Sequence, residues 1–269
     1  MIVTLLTDFG VADYFVGAMK GVVLSVNPQA QVVDITHEIP AHDVEAAAFT
    51  LLAACESFPK PSVHVAVVDP GVGSPRRAVV AEADGHLFVG PDNGVFGYVF
   101  ERAADVRVFH ATEKKYFRAS VSTTFHGRDI FAPLAGALSL GLILNNFGPP
   151  VTDYVTLPFP APRRLPEGTL EGAIIHVDRF GNCVTNLTPE DLGDDENDAD
   201  LTLRVGEHEI RAFRRFFAEG EGASAEPFVI HGSAGFLEIA VYLDSAARLL
   251  GLRRGQKIRV RSSKLKAQS

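Results

Sequence analysis

Residues 62–69, SVHVAVVD, form an almost unbroken apolar run that ends on a carboxylate, and residues 70–77, PGVGSPRR, add two glycines, a Ser-Pro turn and two arginines. Such a run reads as a strand buried on both faces, the mark of a sheet with helices on each side. MIVTLLTD (1–8) is a second apolar run closed by an aspartate, and AQVVDITHEI (30–39) is a third strand. Between these strands lie two stretches with helical character. YFVGAMKGVVLSV (14–26) follows Asp13, the expected N-cap, and stops at Asn27-Pro28. VEAAAFTLLAACESF (44–58) follows Asp43, a second expected cap, and ends before Pro59. Strand–helix–strand–helix–strand predicts right-handed crossovers and an α/β domain with a mainly parallel sheet.

Downstream the pattern changes. RAVVAEADGHLFVG (77–90) reads as two strands around an Asp84-Gly85 hairpin, and DIFAPLAGALSLG (129–141) as a helix whose start Pro133 leaves open. Residues 145–170 are proline-rich with little periodicity and read as a stiff connection. Beyond them, GAIIHVDRFGNCVTNL, ADLTLRVGEHEIRAF, PFVIHG, GFLEIAVYL and QKIRVR are short strands between turns, and only DSAARLLG has helical character. The expected organisation is an α/β domain over residues 1–150, a linker over 151–169 and a smaller antiparallel, barrel-like β domain over 170–269.

Composition narrows the function. A net charge of −8 disfavours nucleic acid and acidic membranes, both of which need a basic face. The longest apolar run, LAGALSLGLIL (134–144), is too short to span a bilayer. The N-terminus has neither a basic region nor a small-residue cleavage site, so a cytoplasmic protein is expected. Cys55 and Cys183 have no metal-binding or redox spacing and are expected to be small buried hydrophobes. The acidic run EDLGDDENDAD (190–200) reads as a solvated loop, and the basic C-terminus as a frayed tail.

Three places concentrate chemistry. Asp8, Asp13 and Asp69 fall at or near the carboxyl ends of predicted strands, where open α/β sheets bind ligands. One aspartate there is commonly a turn former or cap; three at one edge repel unless something positive lies between them. STTFHGRDIF (122–131) places His126 among polar groups ahead of a helix, although Arg128 and Asp129 also make a simple ion pair. HVDRFGNCVTN (176–186) gathers an acid, an aromatic and two amides in a β turn. Asn182 or Asn186 offers a donor and an acceptor side by side for a base edge, and Phe180 offers a stacking face; an ordinary hairpin turn is the plainer reading. The chain has no P-loop, no HExxH, no GxSxG and no kinase loops around its TDFG.

Taken together, TDFG…DYFVGAMKG, DITHEIPAHDVEAAAF, VVDPGVGSPRRAV, VGPDNGVF, TFHGRD and VDRFGNCVTN resemble the S-adenosylmethionine hydroxide adenosyltransferases, water-using relatives of the fluorinases and chlorinases. The resemblance runs in order over nearly the whole chain. It implies a two-domain subunit, a homotrimer with each site where one subunit's N-terminal domain meets a neighbour's C-terminal domain, no cofactor, no metal, and hydrolysis of S-adenosylmethionine to adenosine and L-methionine. Carried onto this chain, it makes Asp69, Arg76 and His126 catalytic. It sets Asp8 on the ribose diol, Asp13 and Asp178 on the methionine ammonium, Asn182 on adenine, and Phe125 and Phe180 around the adenosyl group. Ser245, in YLDSAARL, matches the amino-acid end more loosely. Ala41-His42 and Gly127 stand where the halogenases carry an aromatic and a hydroxyl residue, which speaks against a halogenase.

The chemistry suits that set. Methionine leaves as a neutral thioether, so no general acid is needed, and a water in line with the C–S bond is. Asp69 would orient it and take its proton directly or through His126, with Arg76 balancing charge and Gly71 and Gly73 making room. Which of Arg76 and Arg77 turns inward stays open, because Pro75 interrupts the alternation. Two other readings remain at this point: a divalent-metal hydrolase built on Asp8, Asp69, His126 and Asp129, and a non-catalytic protein that binds S-adenosylmethionine or a nucleoside.

Overall fold

A computed structural model describes residues 1–192, 201–219 and 226–261. Most of the acidic run at 190–200, and the tail from residue 262, lie outside the described residues. The chain forms two compact units, Met1–Phe159 and Pro160–Ser269.

The first unit runs β1 (Ile2–Thr7), α1 (Phe15–Val26), β2 (Gln31–Thr36), α2 (Val44–Cys55), β3 (Ser62–Val67), β4 (Ala78–Ala83), β5 (His86–Pro91), α3 (Gly97–Arg102), β6 (Val106–His110), α4 (Ala132–Ser139) and β7 (Pro150–Val151). Its sheet has the order β2-β1-β3-β5-β4-β6-β7. The chain leaves β1 toward β2 on one side and returns to β3 on the other. Right-handed crossovers in opposite directions put their helices on opposite faces. One face accordingly packs Met19 and Val23 of α1 with Leu134 and Leu138 of α4, and the other packs Ala47 and Leu51 of α2 with Phe96 and Val99. The order reverses between β1 and β3, and their carboxyl ends form the crevice where such sheets take ligands. Thr7 pairs with Val67, so Asp8 and Asp69 follow within two residues of neighbouring strand ends.

The sheet is mixed, not mainly parallel. β1–β2, β1–β3 and β3–β5 are parallel, whereas β4–β5, β4–β6 and β6–β7 are antiparallel. The turn at Asp84 (φ 46°) and Gly85 (φ 84°) has the two positive φ angles of a type I′ hairpin, and it reverses the chain before the outer strands add. Asp43 caps α2 as expected, accepting from the Ala46 N–H at 2.9 Å. Asp13 caps nothing: α1 begins after Tyr14, with no side-chain cap. Pro133 lies where a π-helical turn at Gly127–Phe131 runs directly into α4, and the Asp129 carbonyl, which Pro133 cannot supply with an N–H, accepts from the Arg118 N–H at 3.0 Å instead.

Residues 153–159 belong to the first unit. Arg77 Nη1 donates to Asp153 at 2.7 Å, and the Val155 N–H donates to Asp92 at 2.7 Å. The Leu157 backbone lies against the start of α3, where a Cβ on Gly97 would come within 2.7 Å of its nitrogen. Phe159 stacks edge-on against Tyr98 at 5.0 Å.

The second unit contains β8 (Arg163–Arg164), β9 (Leu170–Val177), β10 (Cys183–Thr185), α5 (Pro189–Leu192), β11 (Thr202–Val205), β12 (His208–Ile210), β13 (Phe213–Arg214), β14 (Pro227–His231), β15 (Leu237–Val241), α6 (Ala246–Leu249) and β16 (Lys257–Arg261). The sheet runs β12-β11-β16-β9-β10-β15-β14-β13, with β8 on β9, and only β13–β14 is parallel. Leu203, Val260, Ile174, Ile239 and Val229, from strands spread across this path, share one core, so the sheet curls around it. Among the described residues no pairing closes the curl into a barrel. Cys55 and Cys183 are free and buried, and burial pushes both thiols up to about 11. No helix among the described residues is long and apolar enough to cross a membrane.

Candidate active site

The loop after β3 carries the first cluster. Asp69 and Arg76 form a two-pronged pair, with Arg76 Nε on Oδ1 at 3.0 Å and Nη2 on Oδ2. The same Nη2 reaches His126 Nδ1 at 2.8 Å. The pair is nearly sealed from solvent, with side-chain exposures of 5% for Asp69 and 11% for Arg76. The ring of Phe131 lies 5.1 Å from the Arg76 guanidinium.

Gly73 brings the three together. Its φ is +78°, and a Cβ there would sit 2.5 Å from the Thr123 carbonyl oxygen, so only glycine lets the 70–75 loop close on the loop that carries His126. Arg77 faces the other way, donating from Nε to Asp92 at 2.7 Å and from Nη1 to Asp153. The VGPDNGVF motif thus has a structural use: Asp92 holds Arg77, and Asn93 Nδ2 donates to the Val68 carbonyl at 2.8 Å, steadying the strand end beside Asp69.

Burial lowers the pKa of His126, and the Arg76 charge lowers it further against Asp69 and Asp129. The ring is therefore neutral near pH 7. Arg76 has no acceptor, so Nδ1 carries the lone pair and the ring proton sits on Nε2. His126 in this state donates from Nε2 and takes no proton there.

Asp8 accepts from the His42 N–H at 2.9 Å, and His42 adopts a left-handed φ of 67° to supply it. A chain of polar side chains flanks this loop. Lys20 Nζ meets Asp34 Oδ2 at 2.6 Å, and His37 Nε2 lies 3.1 Å from Asp34 Oδ1. His37 Nδ1 meets Thr7 Oγ1 at 2.9 Å, and Thr7 Oγ1 accepts from the Phe9 N–H at 3.2 Å. Burial works to raise the Asp34 carboxyl, but its hydrogen bonds from Lys20 and His37 prevail and hold it low. Asp13 is exposed. Phe125 is buried, with its ring edge-on to Phe15 at 5.1 Å and to Phe9 at 6.0 Å. Asp129 is taken by Arg128 at 2.7 Å and by the Ser122 N–H at 2.9 Å. Among the described residues no three His, Cys, Asp or Glu side chains come together as a metal site.

The second unit carries the other cluster. Asp178 organises its own loop: Oδ1 accepts from the N–H groups of Phe180 (2.9 Å) and Asn182 (2.8 Å), and Oδ2 from Asn182 Nδ2 (2.9 Å). Gly181 has a φ of +85°, and a Cβ there would overlap Ser245, so Ser245 packs directly on the loop. Ser245 also caps α6, its Oγ accepting from the Arg248 N–H at 3.1 Å. Asp178, Phe180, Asn182 and Ser245 together line a groove of about 1020 Å³. Phe180 presents a bare ring, 77% exposed, and Leu243 is 89% exposed. Asn186 has a structural task instead, donating to the Pro160 carbonyl at 2.7 Å and accepting from the Ala173 N–H at 2.7 Å. Phe216, Phe217, Tyr242, His231 and Glu238 also line the groove, and sequence reasoning missed them all. For His231, Glu238 and Tyr242 the only signal was the strand character of PFVIHG and GFLEIAVYL, which names a face without saying what it faces, and Phe216 and Phe217 lie outside both stretches.

Comparison with known proteins adds independent findings. The family model described as the SAM hydroxide adenosyltransferase N-terminal domain matches residues 3–148, and that of the C-terminal domain matches residues 172–259. The chain is 36% identical over 258 residues to the (R)-S-adenosyl-L-methionine hydrolase of Methanocaldococcus jannaschii, covering 93% of this chain and 92% of that one. It is 38% identical over 265 residues to the hydrolase of the same name from Thermus thermophilus, covering 95% and 97%. A fluorinase from Actinopolyspora mzabensis is 23% identical over 292 residues, covering 97% of each chain. Among solved structures, an uncharacterized conserved protein from Thermotoga maritima superimposes with a TM-score of 0.89 at 36% identity, covering 97% of this chain and 99% of that one.

Proposed function

The chain belongs to the SAM hydroxide adenosyltransferase family, and from that premise we propose that Asp69, Arg76 and His126 drive its hydrolysis of S-adenosyl-L-methionine to adenosine and L-methionine. The observation that carries the reading is the single guanidinium shared by a carboxylate and a neutral imidazole at the carboxyl edge of the sheet.

The water oxygen attacks the ribose 5′ carbon. The C–S bond breaks, and its electron pair stays on sulfur, leaving a neutral thioether. As the C–O bond forms, the attacking water becomes a strongly acidic oxonium, and the Asp69 carboxylate takes its proton. Asp69 keeps a lone pair on each oxygen beyond those Arg76 engages. His126 donates from Nε2 to the same oxygen and fixes its direction, and Arg76 keeps both partners in place. A carboxylate that accepts from a water O–H offers a halide only repulsion, which favours hydrolysis over halogenation.

Asp8 holds the ribose diol, and Asp13 and Asp178 the ammonium. Asn182, Phe125 and Phe180 surround the adenosyl group, and Ser245 meets the amino-acid end. The bare faces of Phe180 and Leu243 at the groove support a homotrimer in which neighbouring subunits complete each site. The reaction needs no cofactor or metal, since its leaving group carries no charge. The relatives' names specify the R configuration at sulfur, and the same epimer is the expected substrate here.

The test is incubation of chelator-treated protein with each sulfonium epimer separately, followed by chromatography. Equal adenosine and methionine from the R epimer is the expected result. Bound but intact substrate would leave a binding protein.

A further inference from the structure

The stretch DITHEIPAHD (34–43) supplies no residue to the reaction above, yet it holds the turn that carries Asp8. The Thr7 carbonyl accepts from the Ile39 N–H at 3.4 Å, and the His37 carbonyl accepts from the Gly10 N–H at 2.8 Å. Asp8 itself accepts from the His42 N–H at 2.9 Å. The His37 side chain adds to these backbone contacts. It is buried, with Nδ1 2.9 Å from Thr7 Oγ1, and that oxygen accepts from the Phe9 N–H at 3.2 Å, spanning Asp8. Asp34 Oδ1 lies 3.1 Å from the far ring nitrogen, Nε2, and Lys20 of α1 holds the other oxygen of Asp34.

Asp34, His37 and Thr7 stand in the order of a nucleophilic triad. Thr7 is no nucleophile, however: it is fully buried, and its oxygen already takes the Phe9 N–H. The arrangement positions instead. The Asp34 carboxylate favours the ring proton on Nε2, which leaves the Nδ1 lone pair to accept the Thr7 hydroxyl proton. With its proton committed to His37, Thr7 Oγ1 presents a lone pair to the Phe9 N–H and closes a tight turn around Asp8. Asp8 Oδ2 is partly committed to the His42 N–H, so the backbone turn, more than side-chain rotation, aims the carboxylate. We propose that His37 is a positioning residue that acts through the Thr7 hydroxyl to set the Asp8 carboxylate for the ribose diol. This rests on the reading that Asp8 takes the diol.

The experiment measures calorimetric binding of adenosine and of 2′,3′-dideoxyadenosine, which lacks the diol, to the unmodified protein, His37→Leu, His37→Asn and Thr7→Val. Steady-state kinetics on S-adenosyl-L-methionine run alongside. The unmodified protein is expected to bind adenosine at least about tenfold more tightly than the dideoxynucleoside, as hydrogen bonds to a charged group imply. His37→Leu and Thr7→Val should weaken adenosine by about tenfold and leave the dideoxynucleoside as it was, with KM raised and kcat held. His37→Asn sets a carboxamide where Nδ1 stood, keeps a partner for Thr7 and should keep the preference. Should His37→Leu unfold early, Thr7→Val, of the same shape as the native residue, carries the test. A preference that survives His37→Leu and Thr7→Val would overturn the inference. So would equal weakening of both nucleosides, which marks a general loss of structure, or an Asn variant as poor as Leu. An unmodified protein without the preference removes Asp8 from the diol and the inference with it. One that prefers adenosine but forms no product leaves this test intact while the hydrolase reading fails.

Discussion

The Asp69–Arg76 pair allows stability and catalysis to be separated in one mutant cycle. Both side chains are close to fully buried, and Arg76 makes two contacts to Asp69 and one to His126. Asp69→Asn removes the charge, keeps the shape and leaves Arg76 buried without its counter-ion. Breaking a buried pair from one side costs about 3–5 kcal/mol. At about 2–4 °C per kcal/mol for a chain of this size, the melting temperature falls by roughly 6–20 °C. Asp69→Asn combined with Arg76→Met removes both charges, and replacing a buried pair with apolar groups is commonly neutral or better. The double variant should therefore melt near the unmodified protein, while both variants lose at least about 100-fold in turnover, the typical share of an acid–base group. Calorimetric melting and single-turnover product formation read the two quantities on the same samples. If the double variant melts as low as the single one, the uncompensated-charge argument is wrong. If Asp69→Asn turns over at the unmodified rate, Asp69 has no part in the chemistry.

Three further outcomes are expected. Gly73→Ala drives a methyl group to 2.5 Å from the Thr123 carbonyl at a φ of +78°, and should cost about 1–3 kcal/mol and lower kcat by separating His126 from Arg76; an unchanged melt and kcat would show that the two loops are not held by that contact. Phe180→Ala removes an exposed ring, so stability should hold while KM rises by about tenfold or more from lost stacking, read by steady-state kinetics. Burial, with the neighbouring His86, pushes His64 down to about 3 from an ordinary 6.5. The unfolded chain takes up that proton as pH falls below about 6.5, whereas the folded one does not until about 3. The stability is complete above 6.5 and is lost as pH falls toward 3, and urea midpoints for His64→Gln should show a shallower acid slope than those of the unmodified protein.

What could be read in the sequence follows from how local each signal is. Strands buried on both faces give continuous apolar runs, so β1 and β3 and the aspartates at their ends were legible. Asp43 followed by a run of alanines is a local cap signal, and it held. Asp13 gave the same signal and failed, because Tyr14 takes the helical conformation without a side-chain cap. The Asp84-Gly85 hairpin was legible, but its consequence was not: the reversal sets β4 antiparallel to both β5 and β6, whereas the first strands alone suggested a parallel sheet. Pro75 hid which arginine turns inward; the answer lay in Asp92 and Asp153, distant in sequence, which claim Arg77. Glu238, Phe216 and Phe217 were illegible for the same reason, since the curl of the second sheet brings them together through long-range pairing.

The strap formed by residues 153–159 decides where the protein can be dissected. A fragment cut at residue 150, where the apolar pattern fades, would lose the Val155 N–H from Asp92 and the carboxylate of Asp153 from Arg77. It would also uncover the face of α3 on which Leu157 and Phe159 lie. Arg77, one residue from Arg76, would be freed to compete for Asp69. An isolated first unit intended for crystallography or spectroscopy should end after Phe159, and a fragment ending at 150 should express poorly even though every helix and nearly every strand of its sheet is present.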